Sequence, residues 1–263
     1  MIKKTILLIV IIFIFNACKN SNIEESTWKS AITKSKTINN ITYYFPSDVS
    51  SNNRKEYIMM CQNAIKENLK LLKETTFENK MDIQFLHSRT EMKNRTGMAA
   101  QGMAMFEQNT FYSILRMKNS PIMHEMNHMI AFYKYGIPHE NWIAEGLGTL
   151  AGGTCSNYSL EEIYQYYLQS NKLIPMDIIV NDFWKKGNND IITYTQSAFI
   201  VKYLLDNYGH EKFKTLWADG FEKFNSIYGF EFKDLETKIK TELKLKYPKE
   251  IPFNWEEFNK GCT

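Results

Sequence analysis

His124 and His128 stand four positions apart in His124-Glu125-Met126-Asn127-His128. On a helix of 3.6 residues per turn that spacing puts both imidazoles on one face, where they can converge on a single ion at about 2.0 Å. Glu125 is one position round the helix, badly placed to ligate beside the histidines but within reach of a water held by the ion. The residue types are not interchangeable: neutral imidazole is a borderline ligand suited to zinc, and the carboxylate supplies a base for the water proton. A catalytic zinc site takes a third protein ligand and keeps one position open. Glu145 is the candidate, in Asn141-Trp142-Ile143-Ala144-Glu145-Gly146-Leu147-Gly148. That segment reads as a helix reached through a chain reversal at Gly136-Ile137-Pro138, so it can fold back on the histidine helix. Trp142, Ile143, Ala144 and Leu147 give Glu145 an apolar setting in which an unpaired carboxylate would be costly. Gly146 and Gly148 cost about 1 kcal/mol each relative to Ala, and close approach of another backbone would account for them.

The elements that must position these residues follow from periodicity and punctuation. Ile41 to Phe45 is β-branched and aromatic and stops at Pro46-Ser47-Asp48, and Met81 to Leu86 has the same character, so both read as strands. Between them, Asn53 to Thr75 carries Ile58, Cys61, Ile65, Leu69 and Leu72 at helical intervals. Ala104 to Met117 reads as a third strand or as a hairpin closing at Gln108-Asn109. Ser120 is the expected N-cap of the histidine helix, with Pro121 at its first position and Gly136 and Pro138 as its stop. A second helix runs from about Asn141 to Gly152-Gly153, Ser159-Leu160-Glu161-Glu162 forms a capping box for a third, and Thr193 to Tyr208 and Phe232 to Tyr247 are later helices.

His124-Glu125-Met126-Asn127-His128 followed by Trp142-Ile143-Ala144-Glu145-Gly146 resembles the gluzincin branch of zinc metallopeptidases, thermolysin-like in its catalytic helices and close to families of bacterial exported proteins. A looser likeness runs from Tyr194 to Gly209. The resemblance implies that His124, His128 and Glu145 hold Zn2+, that Glu125 is the general base, and that Tyr194 stabilises the oxyanion or donates a proton. It also implies that the strand near Met103 to Phe111 is the edge on which an extended peptide lies. Gly148 and Leu150 replace the Ala and Tyr common after Glu-Gly in that branch, and Thr149 replaces the carboxylate that thermolysin has at this place. What orients His124 through its other nitrogen is left open. The fold implied is α+β. Residues 38–155 form an N-terminal lobe with a small sheet and helices including the histidine helix, residues 156–263 form a mostly helical lobe, and the active site lies in the cleft between.

The sequence has 263 residues. Met1 to Cys18 holds a charged start, an apolar run from Ile6 to Phe15 too short to span a membrane, and Asn16-Ala17-Cys18. It resembles a bacterial lipoprotein signal, residues 1–17, cleaved before a lipidated Cys18; a plain secretory signal and an uncleaved anchor are the alternatives. Export to the cell envelope, with a lipid anchor in the outer membrane or at the surface, is the expectation. Residues 18–37 are rich in Ser, Asn, Lys and Thr and read as a tether. Cys61, Cys155 and Cys262 form no Cys-x-x-Cys pair, leaving one disulfide with one buried thiol, or three unpaired thiols. Net charge is +3, or 3 − 2 = +1 without Lys3 and Lys4, which provides no electrostatic footprint for nucleic acid. The many methionines near the histidines read as core filler rather than as copper ligands.

The activity expected is hydrolysis of peptide bonds in a peptide or protein substrate, more in the manner of an endopeptidase than an aminopeptidase. For the latter, Glu107 is a candidate to hold a free amine, but it lacks the usual Gly-x-Met-Glu-Asn surroundings. The alternatives are a catalytically silent surface lipoprotein of the same fold acting as a binding module, and a non-peptidase hydrolase with the same zinc geometry. Oligomeric state is not readable.

Overall fold

The computed structural model describes residues 34–261. The signal-like segment, Cys18, most of the tether and Cys262 lie outside the described residues. The fold is α+β, as expected: a five-stranded mixed sheet formed early in the chain, followed by helices. The strands are β1 (Lys34–Ile38), β2 (Ile41–Phe45), β3 (Met81–Leu86), β4 (Gly102–Met105) and β5 (Thr110–Ile114), in the order β1-β2-β3-β5-β4. β2, β3 and β5 are parallel neighbours, and β1 and β4 close the two edges antiparallel. β3 is central; Ile83, Phe85 and Leu86 are fully buried, as a strand covered on both faces requires.

β1 is a correction: Lys34 to Ile38 belongs to the sheet, and its first four residues lie inside the stretch read as tether. It pairs with β2 through a two-residue hairpin at Asn39-Asn40, where Asn39 takes φ 54. Asn tolerates that left-handed backbone, and the lysines of an edge strand discourage further pairing, so the strand carries no apolar signal of its own. The segment Ala104 to Met117 resolves to the hairpin β4–β5, with a 3₁₀ turn at Phe106–Gln108 and Asn109 at φ 50.

The described residues hold eleven α-helices, the first two set between strands: α1 (Ser51–Leu71), α2 (Arg89–Thr96), α3 (Ile122–Tyr135), α4 (Asn141–Gly152), α5 (Leu160–Gln169), α6 (Met176–Asn181), α7 (Asp190–Tyr208), α8 (His210–Asp219), α9 (Phe224–Tyr228), α10 (Phe232–Lys246) and α11 (Trp255–Phe258). The capping box on α5 is present, with Ser159 and Glu162 bonding reciprocally. On α3 the N-cap is Pro121 and not Ser120; the Ser120 hydroxyl accepts only a long bond, 3.5 Å, from the Ile122 N–H. α3 packs on α1 and beside β4, α4 is held between α3 and α7, and α4 with α7 make the most extensive helix contact. The largest apolar cluster takes in residues from Ile41 to Leu243, so the sheet and the later helices share a core.

Cys61 is a buried free thiol, and Cys155 is disulfide-bonded, which removes the alternative of three unpaired thiols. Among the described residues no helix is long and apolar enough to cross a membrane.

Candidate metal centre

α3 presents His124 and His128 on the face turned to α4, and its rotation is set from behind by two buried amides. Asn68 of α1 donates to the Met123 carbonyl at 3.1 Å and accepts from Asn127 at 2.8 Å. Both are fully buried, so this pairing fixes how α3 sits on α1. From α4, Glu145 reaches the same point. The His124 and His128 Nε2 atoms are 3.0 Å apart, and Glu145 Oε2 is 3.2 Å from the first and 3.5 Å from the second. Donors about 2.0 Å from a tetrahedral ion stand about 3.3 Å from one another, so the triangle has the size such an ion requires. Two imidazoles and one carboxylate, with no fourth protein ligand in the group among the described residues, also match the donor chemistry of zinc. The three predicted ligands are thus brought together.

α4 can approach this closely because three of its residues lack side chains where it is gripped. A Cβ on Gly146 would lie 2.9 Å from the Ser197 backbone of α7, while on the opposite side a Cβ on Gly148 would lie 2.9 Å from the His124 ring. Gly152, one turn on, meets His124 Cβ at 3.1 Å. Glu145, Gly148 and Gly152 form one stripe, and the His124 ring lies against it. His124 is therefore oriented at least in part by packing on bare helix backbone, which explains Gly148 where Ala is common. His128 stacks on Phe132 at 5.9 Å, and its Nδ1 is buried with no hydrogen-bond partner.

Electrostatics divide the two carboxylates. Burial raises Glu145, but the charge of His128 and hydrogen bonds from both histidines outweigh it and hold the carboxyl well below the usual range. Glu145 is thus an anion waiting on positive charge. Burial pushes Glu125 up to about 7; His124 opposes the shift, Glu145 adds to it, and the Ala104 N–H, by donating to the carboxylate, opposes it again. Ala104 lies in the edge strand β4, and Gly102 admits the contact: a Cβ there would come within 2.6 Å of Glu125 Cγ. Glu125 stands beside the ligand triangle without joining it.

Tyr194, on the second turn of α7, sits with its ring 6.3 Å from that of His124. Its hydroxyl accepts from Trp184 Nε1 at 3.2 Å. Burial, then the nearby Glu145, push the phenol well above its ordinary range, so it stays protonated. Glu107 is exposed in the turn at the hairpin tip, outside the ligand group. His87, His139 and His210 lie elsewhere, bonded to Asp48, Glu140 and the Leu71 carbonyl. Met126 and Met129 are fully buried filler. Sequence reasoning missed Ala104, Gly102, Gly152 and Trp184; only the glycines left a signal, as helix or strand positions of poor propensity.

No curated protein matches the chain. A family model does match, over residues 101–245, from the edge strand β4 into α10, a span of more than half the sequence. With that match around this site, the chain belongs to the Peptidase MA superfamily.

Proposed function

We propose that the protein is a zinc-dependent metallopeptidase of the gluzincin type, an exported endopeptidase of the cell envelope. The observation that carries this reading is the triangle of His124, His128 and Glu145, with edges of 3.0, 3.2 and 3.5 Å, next to a base that is not a ligand. A zinc ion held there would polarise the substrate carbonyl and acidify a water.

The chain's own groups then do the rest. β4 is the sheet edge beside Glu125, and an extended peptide can add to it by backbone pairing, which lays the scissile carbonyl along Glu125. Glu125 takes a proton from the attacking water and passes it to the leaving amine as the C–N bond breaks. A carboxylate with its affinity raised towards neutrality suits both transfers. Tyr194, as a neutral phenol, donates to the oxygen on which negative charge develops.

The anchor is proposed to be a lipid on Cys18, with the tether placing the domain off the membrane. The test is a digest of a peptide library by purified protein with and without a chelator. Cleavage that the chelator stops and added zinc restores supports the reading. Absence of cleavage favours the silent binding module, and chelator-resistant cleavage contradicts the mechanism.

A further inference from the structure

Trp184 lies between α6 and α7 and is 55% exposed, whereas the adjacent Phe183 is 4% exposed. Phe183 packs edge-on to both neighbours, with ring centroids 5.5 Å from Trp184 and 4.9 Å from Tyr194. The Trp184 Nε1–H donates to the Tyr194 hydroxyl at 3.2 Å, and Tyr194 leads on to His124. An exposed indole is thus fixed in a line of rings that ends at the metal ligands.

We propose that Trp184 is a positioning residue for the Tyr194 phenol and the wall of an apolar subsite for a large uncharged side chain of the peptide substrate. The inference rests on the peptidase reading above. An indole donates and cannot accept, while a phenol has one hydrogen and two acceptor positions. With Trp184 donating to its oxygen, Tyr194 has its own hydrogen free and directed away from the indole, which keeps it available to a substrate oxygen. A Phe or Leu at 184 would leave that rotor undirected. The exposed indole face adds a large, stiff apolar surface of the kind that binds side chains at little entropic cost.

The test uses zinc-loaded wild type, Trp184→Phe, Trp184→Ala, Tyr194→Phe and the double variant Trp184→Phe/Tyr194→Phe. Two readouts are taken: kcat and KM on an internally quenched peptide, and calorimetric binding of two peptide hydroxamates that differ only in a Phe or Ala side chain. Trp184→Phe is expected to lower kcat about fivefold with KM unchanged, and to add nothing once Tyr194→Phe is present. Wild type is expected to prefer the Phe hydroxamate by about tenfold, and Trp184→Ala to lose that preference. Unchanged kcat in Trp184→Phe, or losses that multiply in the double variant, overturn the positioning role. A wild type without the preference, or a preference that survives in Trp184→Ala, overturns the subsite. If wild type cleaves no peptide, the peptidase reading and the positioning role fall together, and the hydroxamates still decide the subsite.

Discussion

The ring of His124 lies against the Cα of Gly148, so close that a Cβ there would stand 2.9 Å from His124 Cε1 and 3.0 Å from Nε2. Gly148→Ala should therefore act against its own helix propensity. In an open helix the change would stabilise by about 1 kcal/mol; here the methyl displaces a ligand ring. Zinc affinity measured by competition with a chromophoric chelator should fall about 10- to 100-fold, the range seen when the supports of a metal ligand are disturbed. A variant that is more stable and binds zinc as wild type does would show that the ring has room.

Glu125→Gln should keep zinc and lose turnover by a factor of about 10² to 10⁴, the usual contribution of a general base. The same variant tests the pH behaviour of the metal-free chain. Glu125 titrates at about 7 when folded and near its ordinary value of 4.5 when unfolded, so folding favours its protonated form. Its burial costs little up to pH 4.5, destabilises progressively as pH rises from there to about 7, and costs its full amount above that. Denaturant unfolding of metal-free protein should show wild type and Glu125→Gln equal near pH 4.5, with the variant ahead by on the order of 3 kcal/mol at pH 8. Equal stability at both pH values would mean that the carboxylate is not buried as described.

Glu145 has the opposite sign. Its folded carboxyl is held below the unfolded value, so its pairing with the histidines stabilises the metal-free fold above the ordinary carboxylate range and is lost as pH falls. Zinc bound there would take over that pairing. At a thousandfold excess over Kd the ion contributes about 4 kcal/mol, so a chelator should lower Tm by roughly 10 °C in a domain of this size. Glu145→Gln should abolish most of that shift, and a full shift in this variant would remove Glu145 from the ligand set.

Asn68→Ala should destabilise by about 1 to 3 kcal/mol in urea unfolding, because it deprives the buried Asn127 amide of its acceptor and leaves a gap behind α3. A neutral outcome would show that the amide pair does not fix the helix.

How far the sequence carried depended on whether a feature was local. His124, Glu125 and His128 were readable because one helical turn relates them, and Glu145 because a short reversal returns its helix to the first. The strands β2 and β3 announced themselves through β-branched and aromatic runs. β1 did not, since an edge strand of alternating Lys, Ser and Thr is held by backbone pairing alone. Trp184 and Ala104 were invisible for a related reason. Each acts through a partner distant from any motif, the Tyr194 hydroxyl in one case and the Glu125 carboxylate in the other. Gly148 was noticed as a departure, but only the His124 ring beside it says what the missing methyl is for.

We hold that His124, His128 and Glu145 bind one zinc ion. Metal analysis of the purified wild-type protein tests it most directly. One equivalent of zinc per chain, removed by a chelator and absent from His128→Ala, is the predicted result; no stoichiometric zinc in the wild type, or a full equivalent retained by His128→Ala, would contradict it.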